Sequence, residues 1–64
     1  MEIQAGTTLG QALKVTNVVG SGGEAKVLIQ AGEITVNGEV ETRRGRRLQA
    51  GDVVEVEDER LAVR

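Results

Sequence analysis

Leu9, Ala12 and Leu13 recur at i, i+3, i+4, the spacing that lines one face of a helix. Thr8 followed three residues later by Gln11 has the form of a capping box, which starts this first helix at Thr7 or Thr8. Gly10 costs the helix about 1 kcal/mol relative to alanine, so either a close packing partner or simple tolerance accounts for it. Asn17 and Gly20 end the segment, and Val18-Val19 anchor the connection in the core. A second helix is predicted over 22–31. Ser21 is its N-cap, Glu24 completes a second capping box, and Gly32 occupies the left-handed C-terminal position. Ala25, Leu28 and Ile29 face inward, while Lys26 and Gln30, four apart, share another face.

The hydrophobic period then changes from helical to alternating. Ile34-Thr35-Val36 reads as a short strand, and Asn37-Gly38 is the preferred pair for a two-residue type I′ hairpin. Glu39-Val40-Glu41-Thr42 is the expected return strand. A loop follows with Gly45 at its tip, Leu48 re-enters the core, Ala50-Gly51-Asp52 turns, and Val53-Val54-Glu55-Val56 is a further strand. Glu57-Asp58-Glu59-Arg60 reads as a charged, exposed tail, after which Leu61 and Val63 either add a last strand or fray. At the other end, Glu2-Ile3-Gln4 alternates as a short edge strand that Gly6 interrupts. The fold class is therefore α+β: one domain over 1–64, with two N-terminal helices packed on a small antiparallel sheet.

Composition narrows the function. The 64 residues contain no aromatic side chain, so the core is aliphatic and stability is expected to be about 3–5 kcal/mol. Recognition by stacking bases on aromatic rings is excluded. Without cysteine or histidine, disulfides, thiolate nucleophiles and the usual zinc ligands are excluded too, and no cofactor or metal is expected. No apolar run approaches the roughly 20 residues of a membrane span, and the start lacks signal-peptide character. A cytoplasmic, monomeric protein is expected, with no membrane and no small-molecule substrate. The carboxylates at Glu55, Glu57, Asp58 and Glu59 come from one short segment and read as solvated charge. So small a domain has little room for a catalytic cavity, and no enzymatic activity is expected.

Charge is segregated. Thr42-Arg43-Arg44-Gly45-Arg46-Arg47 places four guanidinium groups in five residues. The remaining chain has four basic residues against ten acidic ones, so a +4 run sits on a −6 body. A concentrated basic face on an acidic background points to one defined anionic partner, and arginine's planar fork suits phosphate oxygens. The plainer alternative pairs these charges with Glu39, Glu41 or the acidic tail. Surface ion pairs contribute only about 0–1 kcal/mol each, so stability is a poor reason to cluster four. Replacing Arg43, Arg44, Arg46 and Arg47 by alanine is expected to remove most affinity and leave the fold largely intact.

Four segments together resemble a known family. They are Gly20-Ser21-Gly22-Gly23-Glu24-Ala25-Lys26, Ala31-Gly32-Glu33-Ile34-Thr35-Val36-Asn37-Gly38-Glu39, Glu41-Thr42-Arg43-Arg44-Gly45-Arg46-Arg47-Leu48 and Gly51-Asp52-Val53-Val54. The chain resembles the RNA-binding domain first named for the fourth small-subunit ribosomal protein, the S-four domain with its alpha-L motif. More narrowly, it is similar to small stand-alone bacterial members, over residues 9–56. The resemblance implies a non-catalytic module that docks structured RNA, ribosomal RNA or a ribosomal particle. Carried over position by position, it implies RNA contacts at Ser21, Gly22 and Gly23 of the helix start, at Lys26 and Gln30, at Asn37, and at Arg43, Arg44, Arg46 and Arg47. Many relatives have arginine after the serine; Gly22 stands there in this chain, where it opens the helix N-terminal amides to a phosphate.

Two other classes remain in view. A protein-interaction module would use the basic loop to dock an acidic partner. A ubiquitin-like sulfur carrier has a similar length and a Met-x-Ile start, but needs a C-terminal Gly-Gly where this chain ends Leu61-Ala62-Val63-Arg64.

Overall fold

The computed structural model describes residues 2–16 and 18–64, so the expectation for Asn17 lies outside the described residues. These form β1 (Glu2–Ile3), α1 (Leu9–Val15), α2 (Gly22–Gln30), β2 (Ile34–Val36), β3 (Glu39–Val40), β4 (Val53–Val56) and β5 (Glu59–Val63). The sheet order is β1-β5-β4-β2-β3; every pair is antiparallel except β1 with β5. Leu9, Ala12 and Leu13 of α1, Ala25 and Ile29 of α2, and the inward residues of the strands make one aliphatic core. The fold is the expected α+β arrangement, with a parallel pair added at one edge.

Local chemistry explains the ends of the helices. Thr8 Oγ1 accepts the Gln11 N–H at 3.3 Å, and Ser21 Oγ accepts the Glu24 N–H at 3.3 Å. Past α2, Gly32 is left-handed (φ 77°); its N–H donates to Ile29 O and the Glu33 N–H to Leu28 O, both at 3.2 Å. That pair of bonds is the Schellman arrangement, which satisfies two of the carbonyls orphaned at a helix end. Asn37 and Gly38 both have positive φ, 55° and 85°, as a type I′ turn requires.

Two expectations are corrected. The presumed tail over 57–60 is a hairpin turn followed by the start of β5. Glu57 lies in the left-handed region (φ 52°), and Val56 pairs with Glu59. β5 is interior to the sheet, between β1 and β4, with Leu61 and Val63 buried. Its charged turn carries no glycine or asparagine, so the hairpin had no turn signature. The return strand is also shorter than residues 39–42. The Glu41 N–H still donates to Ile34 O at 3.0 Å, but its carboxylate accepts the Arg43 N–H at 3.1 Å. That bond to a backbone amide two residues on curls the chain out of the sheet.

Glu41 is the only buried charged residue among those described, and it organises the arginine loop. Its Oε2 accepts Arg43 Nε at 3.1 Å and its Oε1 accepts Arg46 Nη1 at 2.8 Å. The Arg43 and Arg46 side-chain hydrogen bonds hold the Glu41 carboxyl down from 4.5 to about 2, against the opposing effect of burial; the bond to Glu41 in turn raises the pKa of Arg43. Arg47 Nη1 donates to Gly6 O at 2.9 Å. The four arginines are therefore not interchangeable surface charges. Replacing all of them would leave the buried Glu41 carboxylate without its guanidinium partners as well as remove charge, so such a variant reports on stability and affinity together.

The sign of the pH dependence follows. A carboxyl whose folded pKa lies below its unfolded value stabilises the fold above the unfolded value and loses that contribution as pH falls through the folded one. The thermal midpoint should decline as the pH is lowered from 4.5 towards about 2. Glu41→Gln should cost on the order of 1 kcal/mol at neutral pH, about 4–8 °C, and should flatten part of that acid decline. Thermal denaturation followed by circular dichroism across this range tests both; an unchanged acid slope in the variant would remove Glu41 as its source.

Candidate RNA interface

The first turn of a helix presents N–H groups that lack intrahelical partners. In α1 the arginine loop supplies two of them with carbonyls. The Leu9 N–H donates to Arg46 O at 2.8 Å and the Gly10 N–H to Arg44 O at 3.0 Å. The Gly6 N–H donates to Leu48 O and the Leu48 N–H to Thr7 O, so residues 44–48 run antiparallel to the entry into α1. Main-chain bonds, rather than the charges, seat the loop against the helix.

This seating separates the roles of the arginines. Arg43 and Arg46 are tied to Glu41, and Arg47 to a backbone carbonyl, although Arg43 keeps an exposed guanidinium with donors to spare. Arg44 differs. Its side chain lies across Gly10, where a Cβ would come within 2.6 Å of Arg44 Cγ. Gly10 is thus the close-approach glycine of α1, and no side-chain partner holds the Arg44 guanidinium among the described residues.

Beyond Arg44 lies a groove of about 240 Å³ between α1, the start of α2 and the loop. Thr8, Gln11 and Lys14 form one wall, Gly22 and Ala25 another, and Arg44 with Gly45 the third. A Cβ at Gly22 would meet nothing within 4 Å, so the start of α2 is open from the groove. Two cations, Lys14 and Arg44, therefore flank a helix N-terminus whose own partial charge is positive. Lys26 follows Gly22 by four residues and Gln30 follows Lys26 by four, so they continue one exposed stripe along α2.

The structure gathers the candidate residues unevenly. Gly22 and Arg44 meet in the groove, and Lys26 and Gln30 adjoin it along α2. Ser21 and Gly23 line the opposite flank of α2, and the Ser21 hydroxyl is occupied by its cap. Asn37 is engaged in the fold: its Nδ2 donates to Asp52 Oδ1 at 3.0 Å and its Oδ1 accepts the Val53 N–H at 2.9 Å. The Gln49 N–H and then this Asn37 bond hold the Asp52 carboxyl below its usual range. Neither Asp52 nor Val53 lines the groove. Lys14 and Gln11 were missed by sequence reasoning. Their signal was present, since they lie i, i+3 on α1, off the Leu9-Ala12-Leu13 stripe, but nothing local linked that face to the distant loop.

Among the described residues there is no group of three or more acidic side chains placed to hold a metal ion, and no helix is long and apolar enough to cross a membrane. The family model described as the S4 domain matches residues 4–64. The chain is 54% identical over 50 residues to the probable ribosome maturation protein RlbA of Bacillus subtilis, a match covering 78% of this chain and 70% of that protein. The helix pair, the α+β sheet and the match over almost the whole length agree: the chain belongs to the S4 domain family.

Proposed function

We propose that the protein is a non-catalytic RNA-binding module, acting as a monomeric single domain in the cytoplasm, whose partner is structured ribosomal RNA in a maturing particle. The observation that carries this reading is the convergence of Lys14 and Arg44 on the open start of α2 in a chain of net charge −2. A cationic groove beside a helix N-terminus suits a backbone phosphate. Lys26 and Gln30 extend the track along α2, while Arg43, Arg46 and Arg47 form a tethered basic rim. With no aromatic side chain to receive splayed bases, affinity rests on phosphate positions and the shape of folded RNA. The relative named for ribosome maturation supports a ribosomal partner.

The test uses charges that the fold does not need. Lys14, Lys26 and Arg44 have no side-chain partner among the described residues, so Lys14→Ala, Lys26→Ala and Arg44→Ala should combine without loss of folding. Fluorescence anisotropy against a structured ribosomal RNA fragment and an equally long single strand should show preference for the folded RNA. The triple variant should bind about 10–100-fold more weakly near physiological salt, and its salt slope should be shallower by about 2–3. Parent-like binding by the triple variant would sink the surface assignment. Equal affinity for the single strand, or no RNA binding, would redirect the reading to an acidic protein partner.

Gly10→Ala provides a version that leaves charge untouched. The new Cβ would overlap Arg44 Cγ and push that arm from the groove, while alanine's helix propensity adds about 1 kcal/mol to offset the crowding. Stability should stay within about 1 kcal/mol of the parent, with RNA affinity several-fold lower. Unchanged affinity would show that the placement of Arg44 does not matter.

A further inference from the structure

The helix that carries Lys26 has a second flank of opposite character. Val18, Val27 and Leu28 line a concavity of about 420 Å³, with Glu24 of α2 and Glu57 of the β4–β5 turn at its edge. Val27 is 66% exposed, and a β-branched residue on an open helix face favours neither the helix nor solubility. Neither carboxylate has a hydrogen-bond or ion-pair partner among the described residues. The Glu24 carboxylate does not complete a reciprocal capping box; its Oε1 lies 3.2 Å from where a Cβ on Gly20 would stand. Lys26, adjacent to Val27 in sequence, points about 100° away around the helix and does not line this flank.

We propose that this flank is a docking site for a cationic peptide segment of a partner protein, one that carries lysine or arginine together with aliphatic side chains. The aliphatic floor selects an apolar side chain, and the two carboxylates, brought together from separate elements, select positive neighbours. The same carboxylates repel RNA phosphate and anionic lipid, so the flank complements the basic groove rather than extending it. α2 thus stands between a surface for polyanion and a surface for polycation. The contact is small and belongs with weak, transient interfaces. It stands on charge and shape alone and does not require the RNA reading to hold.

The probe is a short fluorescein-labelled peptide of lysines interspersed with leucines, titrated without RNA while backbone amide shifts are followed by NMR. Binding should move the amides of Val18, Gly23, Val27 and Leu28. Glu24→Gln combined with Glu57→Asn should weaken it about 5–10-fold. Asparagine tolerates the left-handed backbone at position 57 better than glutamate, so the thermal midpoint of Glu57→Asn should not fall, which separates loss of the site from loss of the fold. Val27→Lys should abolish binding. Three results would each overturn the proposal: parent-like affinity in the double variant, equal binding of a lysine–glycine peptide, or shifts centred on Lys14 and Arg44. Concentration-dependent self-association that Val27→Lys removes would assign the flank to a second copy and overturn it as well. None of these variants should lose RNA affinity; failure of the parent to bind RNA would count against the proposed function only.

Discussion

The seating of the arginine loop on the N-terminus of α1 is the constraint on which the rest of the site depends. Two orphaned helix N–H groups receive the carbonyls of Arg44 and Arg46, so the loop conformation follows from a backbone need of the helix. Once those carbonyls point inward, the side chains divide between the core-side carboxylate of Glu41 and the solvent face of the groove. Four like charges in five residues repel one another, and a loop that carries them would otherwise spread. Glu41 offsets part of that repulsion, and Arg47 adds a bond to Gly6 O from the other end. The loop is ordered before any partner arrives, which lowers the conformational entropy lost on binding.

Pre-ordering also explains arginine rather than lysine at the tethered positions. Glu41 is held by Nε and Nη2 of Arg43 and by Nη1 of Arg46, and each guanidinium retains donors beyond those it uses. A lysine ammonium in the same place would be a single point charge, without the fork that spans both carboxylate oxygens. A structural role and a partner-facing role are therefore compatible at Arg43, whose side chain remains largely exposed. Ion pairing with the body does occur, through Glu41, and it leaves Arg43 donors free to face a partner.

Much of the fold was legible because its signals are local. Ser21, Thr8, Gly32 and the Asn37-Gly38 pair act within a few residues of themselves, and each does so here. What escaped was long-range. A last strand at Leu61 and Val63 is one of two readings open in the sequence, and what decides for it is pairing with β4 and, from the opposite end of the chain, with β1. Pairing of the arginines with Glu41 is likewise one open alternative, but the burial of that carboxylate between Arg43 and Arg46 shows only in the fold. Gly10 reads as a weak helix position until Arg44, far along the chain, is seen to lie across it. The candidate site was legible to the same degree. The helix start and the arginine run carried a signal, Lys14 joined them only in three dimensions, and the Asn37 side chain is bonded to Asp52 and Val53 away from the groove.

The absence of aromatic residues links stability to recognition. An aliphatic core of this size leaves little stability in reserve, so bonds that fix a functional loop must not destabilise the fold. Here the loop's main chain replaces the water that would otherwise satisfy α1, and Leu48 enters the core directly behind it. Ordering the arginine loop and completing the fold are the same event. A small domain built this way does not need a separate set of stabilising interactions for the loop. Mutations at the loop should then divide by whether the side chain is tied into the fold rather than by charge. Side chains beyond the latch, such as Arg44, can change with little effect on folding, whereas the buried Glu41 carboxylate, bonded to Arg43 and Arg46, cannot.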